Sequence, residues 1–343
     1  MLTSEFDYDL PQELIAQKPL PKREQSRMMV LHRGTGEIIN SQFQKFPDYL
    51  NKGDVLVLNT TKVIPARTWG RKHGKKIEFL FLKECEKGIW EVLCRPAKKA
   101  KQGDVISFCP GLEGRVTKVE SEGKRMIQFF SGDVLSKLKK IGFAPLPPYI
   151  KRKKAHADLR LLDLERYQTV FAQKEGAIAA PTAGLHFSPL VLEKIKEKGV
   201  FVTQITLNIG LATFQPVRSK RIADHKMLEE TYFINEEESQ KINDAKKESR
   251  PLIAVGTTSV RALESAFKDG KVQTETNSTN LFIYPGYQFK VVDRLLTNFH
   301  LPRSTLLMLV SAFAGLDFIK EAYQEAIRCK YRFYSYGDCM LII

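Results

Sequence analysis

The chain has 343 residues, 54 Lys and Arg against 39 Asp and Glu for a formal charge of +15, and 43% hydrophobic residues, among them 21 Phe and 11 Tyr. That length suggests two domains at about 150 residues each, and the apolar content excludes wholesale disorder. The most apolar window, residues 306–316, falls short of the roughly 20 residues that a membrane-spanning helix needs, and no basic-then-apolar leader opens the chain. The expectation is therefore a cytoplasmic protein with no membrane partner.

In chain order, Val55 to Asn59 (VLVLN) reads as a continuous apolar strand. A basic stretch follows: from Arg71 to Lys154 there are 21 Lys and Arg but only 9 Asp and Glu. Within it, five short β-like runs are separated by Gly-containing turns: Lys76 to Leu82, Ile89 to Cys94, Asp104 to Phe108, Arg115 to Val119 and Arg125 to Phe130. Such spacing predicts a small barrel or sandwich, with Pro145-Leu-Pro-Pro-Tyr149 as a stiff exit. Residues 71–149 are thus expected to form an inserted basic β domain, splitting a second domain into 1–70 and 150–343. Its charge suits a polyanion such as nucleic acid, although runs like Lys98-Lys99-Ala-Lys101 and Lys151-Arg-Lys-Lys154 also fit a solvated face.

Downstream, Ala177 to Ala180 leads into a turn. Ser188 and Pro189 then open a helix that stops at Gly199 and feeds a strand over 200–207. Leu252 to Val255 is a strand before Gly256-Thr-Thr-Ser259 and a helix over Val260 to Phe267. Ser304 starts an apolar helix running to Gly315, and Phe318 to Lys330 is amphipathic. Strands alternating with helices predict an α/β domain with a largely parallel or mixed sheet.

Five cysteines with no two-residue spacing read as reduced thiols, and six histidines without an H-x-x-x-H pair give no metal motif. The usual P-loop and dinucleotide-binding glycine patterns are missing too. Chemistry is expected at polar strand ends. In Ala180-Pro-Thr182-Ala-Gly184-Leu-His186-Phe187, Thr182 offers a hydroxyl, Gly184 allows close backbone approach and His186 suits proton transfer, unless the segment is simply a connection with a satisfied histidine. Val255-Gly-Thr-Thr258-Ser-Val-Arg261 is either a capped helix start or a seat for an anion, with Arg261 able to fork onto a carboxylate. Leu296-Thr-Asn298-Phe-His300 ends a strand in polar groups. Tyr331-Arg-Phe-Tyr-Ser-Tyr336-Gly-Asp338-Cys339 packs aromatics that can face a purine or a sulfonium, or can finish a core. The stretch Asp224-His225-Lys-Met-Leu-Glu229-Glu230 places a histidine beside carboxylates, as an acid/base pair or a solvated turn.

Taken together with Phe6-Asp-Tyr-Asp-Leu-Pro11, Ser26-Arg27, Leu58-Asn-Thr-Thr-Lys-Val-Ile-Pro-Ala-Arg67, Pro147-Pro-Tyr-Ile150, Arg166-Tyr-Gln-Thr169, Thr213-Phe-Gln-Pro-Val217 and Tyr284-Pro-Gly286, these motifs resemble, almost end to end, the S-adenosylmethionine:tRNA ribosyltransferase-isomerase family of queuosine biosynthesis. The resemblance implies a mixed α/β domain with an inserted β-barrel. It implies a metal-free enzyme that moves the ribosyl unit of S-adenosylmethionine onto 7-aminomethyl-7-deazaguanine at a tRNA wobble position. The product is epoxyqueuosine, released with adenine and methionine, and the acceptors are the tRNAs for Asp, Asn, His and Tyr. Such chemistry needs a base beside the sulfonium or acceptor amine and an acid for the departing adenine. His186 and His300 are the expected acid/base groups, with Glu230 and Asp338 as carboxylates that position or steer protons. Tyr336 is expected against adenine or sulfonium, Arg27, Arg67 and Arg261 on carboxylate or phosphate, and Thr182, Thr258 and Asn298 as hydrogen-bonding groups.

Three departures stand out: Asn208 where relatives carry a histidine in T-L-H-V-G-x-G-T-F, Leu228 after Met227 where Met-His is customary, and Cys339 in place of Ala. The competing readings are an S-adenosylmethionine-dependent methyltransferase and a non-catalytic or inactive tRNA-binding relative. A monomer is expected.

Overall fold

The computed structural model describes residues 1–152, 158–210 and 217–343. Nine strands form one mixed sheet in the spatial order Glu275–Thr279, Glu230–Ile234, Phe201–Leu207, Val55–Asn59, Leu252–Val255, Arg294–Asn298, Cys339–Ile342, Arg27–His32 and Glu37–Gln42. The four middle strands, from Phe201–Leu207 to Arg294–Asn298, run parallel. Every residue of the Val55 strand is buried, as an unbroken apolar run covered on both faces requires. On one face lie the helices Thr257–Ala266, Thr305–Ala314 and Leu316–Arg328, and on the other the helix Pro189–Glu197 with the turn Phe43–Tyr49.

Local chemistry explains the helix ends. Ser188 Oγ accepts from the Val191 N–H at 3.4 Å ahead of Pro189, and Ser304 Oγ accepts from the Leu307 N–H at 3.1 Å. The helix expected from Val260 begins earlier, at Thr257, because Gly256 takes φ 88° and lets the chain turn straight from strand into helix. Its hydroxyl residues therefore lie inside the first turn.

Between the Val55 and Phe201 strands the chain forms a closed barrel of six antiparallel strands: Arg67–Lys72, Lys75–Glu86, Ile89–Arg95, Val105–Cys109, Leu112–Val119 and Lys124–Phe129. The sequence pattern showed five of these. The sixth, RTWGRK, has mostly polar residues outside while Thr68 and Gly70 pack inward, so it lacks an apolar signature. Gly70 is required there: a Cβ would stand 2.4 Å from Ile106 Cγ2. Phe79, Phe81, Val92, Ile106 and Ile127 fill the barrel, and the helix Val134–Ile141 inserts Val134 and Leu138 into the same core.

Candidate active site

The four parallel strands end together, and the chain reverses its direction of sheet growth around the Val55 strand. Open α/β sheets bind ligands at such carboxyl ends. Asn59 ties three strand ends there: its Nδ2 donates to Leu207 O at 3.1 Å and Thr258 Oγ1 at 3.3 Å, and its Oδ1 accepts from the N–H groups of Thr61 and Leu207. A narrow cleft opens beside it, lined by Tyr149, Thr182, Ile209, Gly256, Thr258, Asn298, His300, Tyr334 and Ser335. A second cleft, lined by Arg23, Ser26, Arg166, His186, Ser335 and Tyr336, adjoins it at Ser335.

Asn298 and His186 link the two. Asn298 Nδ2 lies 3.1 Å from His186 Nε2 and also donates to the Tyr334 and Asp338 carbonyls. His186 Nδ1 is 2.7 Å from Ser26 Oγ, which in turn reaches Arg23 O at 3.3 Å. Proton placement follows: Nε2 accepts from Asn298 and Nδ1–H donates to Ser26. Among the described residues, Asn298 Oδ1 is left buried with no partner. His186 is packed against the Phe43 ring at 5.4 Å, and burial, aided by the positive charges of Arg332 and Arg23, lowers its pKa to about 3. Burial alone does the same to His300, also to about 3. His300 Nε2 sits 2.8 Å from Thr297 Oγ1, its backbone N–H donates to Tyr323 Oη at 2.8 Å, and its backbone carbonyl accepts from Tyr8. Both imidazoles are neutral near pH 7.

The two carboxylates are engaged by the chain itself. Glu230 pairs with Arg261 in the interior and accepts the Gly210 N–H at 3.0 Å, fixing the loop at the end of the Phe201 strand. Arg261 also donates to the carbonyls of Leu281 and Thr279, so the carboxylate it forks toward is Glu230. Asp338 accepts the backbone N–H groups of Arg27 at 2.9 Å and Arg332 at 2.8 Å, with Arg27 Nε at 3.5 Å. Burial raises its pKa, while those bonds and the Arg27 charge oppose the rise. This closure holds residues 331–338 in a loop in which Tyr334 adopts φ 71°, a left-handed conformation costing about 1–2 kcal/mol. Tyr334, Ser335 and Tyr336 thereby line the two clefts.

Other sequence-selected residues lie farther out. Arg27 caps the helix Leu316–Arg328 through the carbonyls of Cys329 and Lys330 and stacks on Tyr331 at 4.1 Å. Arg67 starts the barrel, 3.4 Å from Glu78 and 3.1 Å from Leu146 O. Gly184 serves packing, since a Cβ would meet Phe171 Cζ at 2.7 Å and Thr169 Cγ2 at 2.8 Å. Tyr336 Oη donates to Asp163 Oδ1 at 3.3 Å, and Asp163 is gripped by Arg152 through two bonds of 2.8 Å. Residues 211–216, which include Ala212 and most of Thr213-Phe-Gln-Pro-Val217, lie outside the described residues, as do Lys153 and Lys154. Of the departures, Asn208 accepts from Thr61 Oγ1 at 2.8 Å and reaches Thr231 Oγ1 at 3.4 Å, Leu228 is exposed, and Cys339 is buried with its thiol toward Arg27 O. Sequence reasoning passed over Asn59, Arg23 and Tyr149 as site residues. The polar run directly after VLVL was the available signal for Asn59.

Fold and site together define a mixed-sheet α/β protein with an inserted barrel, whose ligand clefts lie where the parallel strands end. The chain belongs to the queuosine biosynthesis protein family, whose model matches residues 3–342. It is 51% identical to the S-adenosylmethionine:tRNA ribosyltransferase-isomerase of Halothermothrix orenii and 50% identical to that of Clostridioides difficile, with 100% of each chain covered. Among solved structures, the S-adenosylmethionine tRNA ribosyltransferase of Thermotoga maritima matches with a TM-score of 0.56 at 39% identity, over 99% of this chain and 100% of the other.

Proposed function

We propose that this protein is an S-adenosylmethionine:tRNA ribosyltransferase-isomerase. It transfers the ribosyl unit of S-adenosylmethionine to 7-aminomethyl-7-deazaguanine at the wobble position of the tRNAs for Asp, Asn, His and Tyr. The ribose rearranges to an epoxycyclopentanediol as adenine and methionine leave. The sheet domain is the catalytic one and the barrel the inserted one, its first strand beginning at Arg67 and so a few residues ahead of the expected boundary at 71, in a monomer acting in the cytoplasm without a metal. Family membership and relatives of about 50% identity support the reaction.

The observation that carries the site is Asn298: buried in the cleft wall, bonded to His186, and with Oδ1 unpartnered among the described residues. A buried acceptor left unpaired costs about 1–3 kcal/mol, which a ligand N–H or O–H recovers. His186 and His300 are neutral near pH 7 and, with pKa values of about 3, are weak bases while their ring nitrogens stay bonded to Asn298, Ser26 and Thr297. Either takes a proton from the acceptor amine, or from a carbon acidified by the sulfonium, only once ligand binding frees a ring nitrogen and raises its pKa toward neutrality. Once His186 has taken a proton it is the acid that can assist adenine. Glu230 and Asp338 act as positioning carboxylates, the first through Arg261 and Gly210, the second through the loop that carries Tyr336. Thr182 and Thr258 offer hydrogen bonds to the ligand and Tyr336 an aromatic wall, while Arg27, Arg67 and Arg261 reach carboxylate or phosphate only on leaving their present partners.

The test uses S-adenosylmethionine labelled separately in ribose and methyl, with tRNA carrying the precursor base. Ribose label in the tRNA, with free adenine and methionine in equal amounts, is the expected result. Methyl label in the tRNA would make the protein a methyltransferase, and binding without any transfer would make it an inactive relative.

A further inference from the structure

The barrel is electrically lopsided along its axis. Its near end faces the sheet domain: Arg67 bridges Phe143 where the chain enters and leaves, and Lys139 pairs with Glu175 at 2.8 Å. The far end gathers the hairpin at 73–74, the loop after Arg95 and the hairpin at 120–123, as the registers Lys72↔Lys75, Glu78↔Arg95, Val105↔Arg115 and Arg125↔Val119 require. That rim carries Lys75, Lys76, Arg95, Lys98, Lys99 and Lys101, all exposed, and among the described residues none of the six is in an ion pair. Of the acids at that end, Asp104 is held by Lys72 at 2.6 Å and Glu120 by Lys118 at 2.8 Å, and Glu78, in register with Arg95, lies 3.4 Å from Arg67, leaving Glu122.

The rim is also built to hold its shape. Arg125 is buried beneath it and donates to Ala100 O, Ala97 O and Lys124 O, each at 2.7 Å. Those bonds staple the loop that carries Lys98 and Lys99 to the barrel. An arginine spent on three carbonyls orders a cationic surface instead of contributing to it. Lys76 rests over the Trp69 ring at 4.5 Å, which fixes a further charge.

We infer that this far rim is the surface on which the protein grips tRNA phosphates remote from the base it modifies. The identity of the polyanion rests on the ribosyl-transfer reading above; the rim's attraction for RNA does not. Strands of five to twelve residues, tilted as in any closed barrel, set the rim on the order of 20 Å beyond the near end. A free nucleotide cannot touch both rim and cleft, whereas a folded tRNA can. Phosphate contacts of this kind supply affinity and orientation but no sequence information.

The experiment compares the full chain with Lys75→Gln/Lys98→Gln/Lys99→Gln, and with Lys271→Gln/Lys290→Gln on the sheet domain as a control. Two readouts are taken: tRNA binding against salt, and steady-state ribosyl transfer. Expected for the rim variant are a tRNA KM about tenfold higher, kcat within about twofold, and a salt slope flatter by about two, from roughly 0.7–0.9 per lost phosphate contact. The KM for S-adenosylmethionine stays put, and the control behaves as the parent. Rim and control variants that bind and turn over alike would overturn the inference, as would a parent chain with no affinity for tRNA. A parent chain that binds tRNA through the rim yet transfers no ribose would overturn the ribosyl-transfer reading and leave the rim standing. Selective loss of binding to an acidic protein, with tRNA binding intact, would reassign the rim to a protein partner.

Discussion

Two histidines with nearly the same acidity do different work. The His300 ring meets Thr297 while Tyr323 and Tyr8 hold its backbone, whereas the His186 ring sits in a relay from Asn298 to Ser26. Both pKa values fall from the ordinary 6.5 to about 3. An unfolded chain protonates these rings below about pH 6.5 and the folded one does not until about pH 3, so their contribution is complete above 6.5 and declines as pH falls. Each ring contributes a slope of roughly 1.4 kcal/mol per pH unit in that window. Urea unfolding near pH 7, 6 and 5 should show stability falling faster in the parent than in His300→Gln, by about that slope. Parallel curves would mean that His300 is charged in the folded state. At Asn298 the stake is activity: Asn298→Ala removes the Nε2 partner of His186 and the buried Oδ1 together. We expect ribosyl transfer to fall about 10²-fold, as when one preorganised donor or acceptor is lost. Transfer at the parent rate would exclude Asn298 from the site.

The turn Thr182–His186 is the element through which packing reaches chemistry. Its Gly184 lies against Phe171 and Thr169 so closely that a methyl group has no room. Gly184→Ala should cost about 1–3 kcal/mol of stability and displace His186 two residues on. Phe171→Leu should restore stability in the double variant, and full stability of the single variant, read by thermal unfolding, would show that the turn yields freely. Sequence alone suggested Gly184 for ligand approach, because the ring that confines it is visible only in three dimensions. The same holds for Arg261 and Asp338. A guanidinium seeking a carboxylate was legible, but Glu230 is 31 residues away, and the Arg27 N–H that meets Asp338 is 311 residues away. Capped helices were legible because Ser188, Pro189 and Ser304 act on their immediate neighbours. The strand Arg67–Lys72 was not, since only its barrel partners define which face is inner.

Across the whole molecule, insertion is a geometric statement: the barrel leaves the sheet domain and returns to it at nearly one point. Arg67 and Phe143 exchange backbone hydrogen bonds at 3.2 and 2.7 Å, which places their Cα atoms roughly 5.5 Å apart. A hinge of that kind lets the barrel fold around its own core of Phe79, Phe81, Val92, Ile106 and Ile127 without waiting for the sheet. Charge patterning in the sequence already set this segment apart, but the polarity of that charge, with its exposed unpaired cations at the far rim, needed the strand register. Expressed alone, residues 64–146 should therefore form a folded domain with cooperative urea unfolding, and they should retain the salt-dependent affinity for tRNA. Ile64, which packs into the barrel core, is kept for that reason, and Ile178→Ser in the complementary piece removes the apolar contact left behind. The barrel's loss should leave S-adenosylmethionine bound by the sheet domain at close to the parent affinity. An isolated barrel that unfolds gradually and binds dyes for exposed apolar surface would show that the sheet domain is part of its fold.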